Sequence, residues 1–207
     1  MVFKNILRIL KSYRLSIFKI IFFELFFLVK GYKGNKFNFS NNTLMTDNIP
    51  CPYYFLLKIK KILIKRNFQK FLDLGCGSGR VINFFNNNLM NKNFVGIEFF
   101  SDQFNYCKSK FNNKKNIQII QEDFTKYDFF QHKADCYFFN DPIKNDSIFI
   151  EIVKNIINFS LDKKNILLIF VNCNDKLFLS LKNIKLIDKY YLNEKKGYFI
   201  YCVSKND

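Results

Sequence analysis

The sequence predicts a doubly wound α/β domain, in which helices cover both faces of a mostly parallel β-sheet. From about residue 50 onward, short apolar segments that suit buried strands alternate with longer segments of helical periodicity. A glycine-rich turn follows the first of these strands. Two apolar segments near the C-terminus are separated by a turn so short that the strands must pair antiparallel. Together these observations predict a sheet that ends in a hairpin.

The bulk properties indicate one globular domain with a short extension. The chain has 207 residues, of which 49% are hydrophobic and 24% are charged, a balance that favours a packed core over disorder. The formal net charge of +16 would suit an anionic partner, either a nucleic acid or an anionic membrane surface, but the richness in Lys, Asn, Ile and Phe throughout the chain favours a general compositional bias equally well. Nucleic acid is the less favoured interpretation, because arginine, which binds phosphates and bases bidentately, occurs at only four positions.

The cysteines and the single histidine do not suggest a metal site. The six cysteines lie far apart without a C-x-x-C pair, and His132, in a connection between strands, is expected at the surface. Most of the cysteines lie in apolar segments, where a free thiol behaves as a small buried hydrophobe. Reduced thiols, which favour a cytoplasmic protein, are the simplest interpretation of the cysteines. A peripheral position at a membrane surface is the alternative location.

The N-terminal segment contains the most hydrophobic window of the chain, residues 17–29, which Lys19 and Glu24 interrupt. The window is too short and too charged for a membrane-spanning helix, and no signal-peptide cleavage site follows it. Ahead of it, apolar residues recur at helical spacing and basic residues occupy the rest of the wheel. This pattern predicts an amphipathic helix that carries Phe3, Ile6, Leu7, Leu10 and Tyr13.

Three partners remain open for this N-terminal helix: the main domain, a second copy of the chain, or an anionic membrane surface. The Asn-rich stretch of residues 35–48 predicts a loop. The predicted organisation is therefore a helix-and-loop extension over residues 1–45 and a main domain over residues 46–207. The oligomeric state stays open.

The main domain begins with a predicted helix over residues 52–66, where Pro52 suits the first helical turn. Apolar segments then predict seven strands, over residues 71–75, 94–98, 117–120, 134–140, 166–171, 184–191 and 198–203. Helices with apolar stripes follow the first, second and fourth of these strands, and the helix after the fourth strand opens near Asp146 or Ser147. A short turn over residues 193–197 joins the last two strands.

The most informative segment runs from the first strand into a glycine-rich turn and a helix: FLDLGCGSGR, residues 71–80. Glycine at Gly75, Gly77 and Gly79 lets the backbone turn sharply and lets a ligand approach it closely. In an open α/β sheet this turn borders the ligand crevice. A dinucleotide fingerprint needs Gly or Ala where Arg80 stands. The Asp73 carboxylate suits a cationic aminoacyl group better than a phosphate.

Acidic residues also end the next two strands. Glu98 stands at the tip of the second strand, where a carboxylate can accept hydrogen bonds from the two hydroxyls of a ribose. Asp123 follows the third strand, where it could accept a hydrogen bond from an adenine amino group while Phe124 covers the ring face. These positions predict a nucleoside site at one edge of the sheet.

Together these segments resemble the class I S-adenosylmethionine-dependent methyltransferases over residues 50–207. The resemblance implies a Rossmann-like, doubly wound, seven-stranded sheet with three αβα layers, mostly parallel with an antiparallel C-terminal hairpin strand. The N-terminal helical extension is additional to this domain. The resemblance also implies S-adenosyl-L-methionine as the cofactor, in a site lined by Asp73, Gly75, Gly77, Gly79, Glu98 and Asp123.

The fourth strand ends in FFNDPI, residues 138–143, where many amino-group methyltransferases carry Asn or Asp, two prolines and an aromatic residue. Asn140 and Pro142 fit that pattern, whereas Asp141 replaces a proline and Ile143 replaces the aromatic residue. The resemblance implies that Asn140, Asp141 and Pro142 form the catalytic segment. Dot1-type lysine methyltransferases and bacterial homologues with an Asn-Pro-Phe ending carry a similar segment.

The predicted function is methyl transfer to an unidentified acceptor, with nitrogen favoured over oxygen. Two alternatives stay open from the residues alone. One is a nicotinamide-dependent oxidoreductase built on a similar sheet. The other is a non-catalytic S-adenosylmethionine-binding protein, which the imperfect segment after the fourth strand would suit.

Overall fold

The computed structural model describes residues 17–32, 50–161, 165–193 and 196–204. Helices and strands alternate through most of this range. In chain order the elements are α1 (Ile17–Val29), α2 (Tyr53–Leu63), β1 (Lys70–Leu74), α3 (Arg80–Asn86), β2 (Asn93–Glu98), α4 (Ser101–Phe111), β3 (Ile117–Gln121), β4 (Cys136–Asn140), α5 (Asp146–Ser160), β5 (Leu167–Val171), a 3-10 helix (Asp175–Phe178), β6 (Ile184–Asn193) and β7 (Lys196–Val203).

The seven strands of the described residues form one sheet in the order β3-β2-β1-β4-β5-β7-β6. The first five strands of the chain pair in parallel. Strand β7 lies between β5 and β6 and is antiparallel to both, because the connection from β6 to β7 is too short for a crossover. The fold is therefore the predicted Rossmann-like, doubly wound sheet with a C-terminal antiparallel hairpin.

Each face of the sheet has its own hydrophobic core, because successive side chains of a strand point to opposite faces. Phe71 and Phe138 belong to the core beneath α2, α3 and α4. Leu72 and Tyr137 belong to the opposite core, which α5 and the 3-10 helix cover. The central strands are buried on both faces, which explains their continuous apolar sequences.

Helix α1 packs on the domain through one side. The Phe27 ring stacks on Tyr53 with 4.5 Å between ring centroids and meets Phe84 edge-on at 5.5 Å. Ile17 and Ile20 are also buried. Among the described helices, none combines the length and the apolar character needed to cross a membrane.

The predicted strands and helices occur close to their expected positions. Strand β4 begins at Cys136 rather than at residue 134. Helix α2 ends at Leu63 rather than at residue 66, because the chain after Leu63 tightens into i→i−3 turns. The predicted helix with Phe3 and its apolar stripe lies outside the described residues. So do the predicted loop over residues 35–48, the predicted boundary at residue 45, and residues 194–195 of the last turn.

Candidate functional site

The candidate site lies where the parallel strands end, at the reversal of strand order between β1 and β4. The helix after β1 packs on one face of the sheet, and the helix after β4 packs on the other. Such a reversal leaves a crevice between the two loops, which is the usual ligand site in an open α/β sheet. The glycine turn follows β1, and residues 140–142 end β4 and begin its loop.

The glycine turn requires its glycines for conformation and for space. Gly75, Gly77 and Gly79 have left-handed φ angles of +77°, +53° and +72°, which side chains other than glycine rarely adopt. A Cβ atom on Gly79 would lie 2.5 Å from the Phe111 ring, and one on Gly75 would lie 3.6 Å from Cβ of Pro142. The contact between Gly75 and Pro142 brings the loops after β1 and β4 together, and the close approach of a ligand to this turn stays a prediction.

Asp73 is buried in β1 just before the glycine turn, with 2% of its surface exposed. Its Oδ2 atom has no hydrogen-bond partner among the described residues. Burial, and to a smaller extent the Glu98 carboxylate, raises the pKa of Asp73 to about 8. A buried acid without a partner destabilises the fold, so such a group is often one that binds a ligand. Its geometry suits a cationic ligand group.

Glu98 ends β2 and turns its carboxylate toward the glycine turn. Oε2 accepts a hydrogen bond from the Gly77 N–H at 2.7 Å, and Oε1 accepts one from the Phe100 N–H at 2.9 Å. Burial raises the pKa of Glu98, and these backbone donors oppose that shift. Each oxygen has two lone pairs, so both can still accept a hydrogen bond from a ligand hydroxyl. Glu98 thus also holds the glycine turn, which the sequence did not reveal.

Asp123 and Phe124 follow β3, but the structure gives both of them partners within the protein. Oδ1 of Asp123 accepts hydrogen bonds from the N–H of Thr125 at 3.0 Å and from its hydroxyl at 2.7 Å. This is a local turn that fixes the loop. The Phe124 ring is 2% exposed and belongs to the core with Leu74 and Ile97. Their proposed contacts with an adenine ring stay predictions.

The segment after β4 lies across the crevice from the glycines. Asn140 and Asp141 are half-buried, and Asp141 has a left-handed φ of +45°. Burial raises the pKa of Asp141, whereas nearby Lys196 lowers it and Asp146 raises it further. A carboxylate with a raised pKa is a better proton acceptor than an ordinary one. Pro142 is buried against the glycine turn.

Asn172 is a site residue that the sequence reasoning missed. It follows β5 directly, is 9% exposed, and has a left-handed φ of +56°. Its Nδ2 donates to Oδ1 of Asn140 at 3.2 Å, and its own Oδ1 is buried without a partner among the described residues. A polar residue directly after an apolar predicted strand was the available signal. The pair joins the ends of β4 and β5.

Arg80 follows the glycine turn, and its side chain is directed away from the crevice toward the N-terminal helix. Its guanidinium binds Oε2 of Glu24 at 2.7 Å and lies 4.4 Å above the Tyr53 ring. Oε1 of Glu24 accepts the backbone N–H of Tyr53 at 3.0 Å. Tyr53 is buried in the core, so it is one of the core aromatics rather than a lining residue.

The histidine and the cysteines are the side chains that could serve another chemistry, such as metal binding. His132 is exposed, as predicted, and it stacks on Tyr127. The six cysteines are free thiols, and five of them are buried. Within the described ranges, no cluster of three or more His, Cys, Asp or Glu side chains could hold a metal ion.

A family model described as a methyltransferase domain matches residues 71–156. That range begins in β1 and ends in α5, so it contains the glycine turn, Glu98, Asp123 and the segment after β4. No curated protein matches the sequence.

Several solved structures share the fold at low sequence identity. An RNA methyltransferase from Salinibacter ruber in complex with S-adenosyl-L-homocysteine has a TM-score of 0.58 at 13% identity, covering 77% of this chain and 96% of its own. Human methyltransferase 10 domain containing protein has a TM-score of 0.55 at 16% identity, covering 77% and 88%. The segment named StiE O-MT has a TM-score of 0.54 at 15% identity, covering 73% and 75%. A shared fold at this level of identity leaves the acceptor of this chain undetermined.

Proposed function

We propose that this chain, which is a class I S-adenosylmethionine-dependent methyltransferase, transfers the methyl group to a nitrogen atom of its acceptor. The observation that carries the nitrogen assignment is the segment after β4. There Asn140 and Asp141 carry an amide and a carboxylate on successive residues at the end of β4. The sulfonium cofactor and the methyltransferase activity follow from the matched domain and fold, whereas the acceptor atom is the proposal.

The residues of the crevice fit S-adenosylmethionine. The orphaned Oδ2 of buried Asp73 suits the ammonium of its aminoacyl end. The glycines of the turn would present backbone without side chains to the nucleoside, and Glu98 retains lone pairs for the ribose hydroxyls. When bound, the cofactor supplies a methyl group on a positively charged sulfur, which is already reactive toward an electron pair.

The chain's own task is then to hold and orient the acceptor. A neutral amine has two N–H groups and one lone pair. When its N–H groups donate to Oδ1 of Asn140 and to the Asp141 carboxylate, the lone pair points away from both, toward the methyl carbon. A hydroxyl has a single donor and would use only one of the two acceptors. This count favours nitrogen.

Asn172 supports the same arrangement by orienting the Asn140 amide. Nδ2 of Asn172 donates to Oδ1 of Asn140 at 3.2 Å, and this hydrogen bond fixes the orientation of the Asn140 amide. Asp141 is suited to accept the proton that the amine releases, since burial raises its pKa above the ordinary value of a carboxyl group. Orientation and water exclusion supply the remainder of the rate enhancement.

Cofactor binding is tested by calorimetry with S-adenosylmethionine and S-adenosylhomocysteine. We expect both to bind the parent protein, and we expect Asp73→Asn to lose at least about tenfold in affinity, because a neutral amide replaces the partner of the ammonium. The matched control is Asp102→Asn, an acid-to-amide change at an exposed position of α4. A folded parent protein that binds neither compound would remove the proposal.

The acceptor atom is tested with methyl-labelled S-adenosylmethionine and separate pools of RNA, protein and small amines. Mass spectrometry of the labelled product identifies the methylated atom. We expect a nitrogen, and we expect Asn140→Ala and Asp141→Asn each to lower the rate at least about tenfold while S-adenosylhomocysteine still binds. Asn113→Ala, an exposed change far along the chain, is the matched control. A label on oxygen or carbon would contradict the nitrogen assignment.

A further inference from the structure

The outward side of α1 is an unusually large exposed apolar surface. Seven large hydrophobic side chains of this 13-residue helix are more than a third exposed, with Phe22 at 62% and Val29 at 88%. At 100° per residue they occupy one continuous arc of the helical wheel. We call this arc the outer face of α1; it consists of Phe18, Ile21, Phe22, Leu25, Phe26, Leu28 and Val29.

Positive charge borders the outer face. Lys19 and Lys30 are exposed and lie along one edge of the arc, and the ammonium of Lys30 is 4.5 Å from the centre of the Phe26 ring. Residues 1–36 carry eight basic side chains and a single acidic one, Glu24. Glu24 faces the domain, where Arg80 neutralises it. Among the described residues, the segment therefore offers an apolar arc with two lysines along its edge, within a sequence of positive net charge.

This combination identifies the chemistry of the occupant. A second copy of the chain would bring together two surfaces with the same excess of positive charge, within a protein of net charge +16, so repulsion opposes that contact. A nucleic acid would complement the positive charge but would leave the aromatic and aliphatic arc exposed to water. An anionic bilayer matches both the apolar arc and the positive charge, because acyl chains bury the arc and acidic headgroups attract the lysines.

We propose that the outer face of α1 docks the enzyme onto an anionic lipid bilayer, with the helix lying in the interface plane. The opposite side of α1 is fixed to the domain by Phe27 and by the contact between Glu24 and Arg80. A helix held along one side by protein lies on a membrane rather than through it. The long stems of Lys19 and Lys30 allow their ammonium groups to reach the headgroups.

The test uses the full chain and two kinds of vesicle, pure phosphatidylcholine and a mixture with phosphatidylserine. The chain contains no tryptophan, so Phe22→Trp provides a single fluorescent reporter at the centre of the outer face. We expect a blue shift of its emission with the mixed vesicles, reduced by high salt, and a smaller shift with phosphatidylcholine alone. Phe130→Trp is the control, since Phe130 is equally exposed, at 63%, but lies between β3 and β4.

Sedimentation with the same vesicles measures affinity. Phe22→Asp with Leu25→Asp should lower binding to the mixed vesicles at least about tenfold, because two apolar anchors become charged. Phe130→Asp with Leu179→Asp, at exposed apolar positions elsewhere, should leave vesicle binding unchanged. S-adenosylhomocysteine binding and the melting temperature report whether each variant folds, and the Phe22→Trp reporter answers the question without any charged substitution.

Three results would overturn the proposal. The first is the absence of both the blue shift and sedimentation with mixed vesicles. The second is a stable dimer, seen by light scattering, that Phe22→Asp with Leu25→Asp dissociates, since the occupant would then be a second copy. The third is a shift in the emission of the Phe22→Trp reporter that RNA produces and vesicles do not. The first and third results leave cofactor binding and methyl transfer untouched, so they are distinguishable from a failure of the proposed function.

Discussion

Replacing Asp73 by asparagine should stabilise the free protein at neutral and alkaline pH while it weakens cofactor binding. Burial and the neighbouring Glu98 carboxylate raise the pKa of Asp73 from 3.8 to about 8. The folded state therefore binds this proton more tightly than the unfolded state. For a raised carboxyl pKa, the free energy of unfolding falls as the pH rises from about 4 to about 8, and the loss is complete above that range.

The size of this destabilisation follows from the difference between the two pKa values of Asp73. Each pH unit within it is worth about 1.4 kcal/mol, which bounds the destabilisation at about 6 kcal/mol at pH 8. Relaxation and water entry reduce this bound, so we expect Asp73→Asn to gain about 1–3 kcal/mol. For a chain of this length that corresponds to a melting temperature about 3–10 °C higher. The asparagine has nearly the same shape and cannot ionise.

The assay is thermal unfolding followed by circular dichroism from about pH 4.5 to about pH 8.5. The advantage of Asp73→Asn should be greatest at the alkaline end and should close toward the acidic end. Asp102→Asn, at an exposed position, should stay within about 0.5 kcal/mol of the parent. A variant no more stable than the parent at pH 8, or one that binds S-adenosylhomocysteine as tightly as the parent, would refute the reasoning.

Three further predictions concern the glycine turn, the strand-tip acid and the N-terminal helix. In urea unfolding, Gly79→Ala should lower the free energy of unfolding by about 2–4 kcal/mol and Gly31→Ala by only about 1 kcal/mol. Both glycines have a left-handed φ, but only a Cβ atom on Gly79 would meet side chains, at 2.5 and 2.7 Å. Equal losses would contradict this steric explanation. Glu98→Ala should lose about 2–4 kcal/mol and weaken S-adenosylhomocysteine at least about tenfold in calorimetry, since it leaves two buried N–H groups unpaired; an unchanged affinity would remove its role at the ribose. Glu24→Ala should lose about 1–3 kcal/mol by leaving the Arg80 guanidinium without its carboxylate, and an unchanged melting temperature would show the pair to be dispensable.

The features that the sequence predicted well are those set by local chemistry. The strands were predictable because burial on both faces makes each one a short, continuous apolar segment. The turn after β1 was predictable because three left-handed φ angles in close succession demand glycine at Gly75, Gly77 and Gly79. The antiparallel hairpin was predictable from the length of its connection alone. None of these depends on distant contacts.

What the sequence could not reveal depends on contacts between distant segments. The hydrogen bond from Asn172 to Asn140 joins residues that are adjacent only because β4 and β5 pair. Likewise, Glu98 supports the glycine turn only because β1 and β2 pair in a register that sets their ends side by side. Sequence spacing fixes which residue ends each strand, but the order of strands in the sheet decides which ends meet.

Arg80 shows that a long-range contact can give a residue of the glycine motif a structural role that the sequence does not reveal. In the sequence, a side chain directly after the last glycine argued against a dinucleotide, because the helix start could not approach a pyrophosphate closely. In the structure the same side chain binds Glu24 of α1 and stacks over Tyr53 of α2. Three helices therefore meet at one buried cation beside the cofactor turn. Since removal of its carboxylate leaves that cation uncompensated, displacement of α1 from the domain must disturb the start of α3 as well. The helix proposed to contact the bilayer is thus held to the domain by an ion pair that also involves the first residue of α3, so Glu24→Ala should loosen α1 and the start of α3 together.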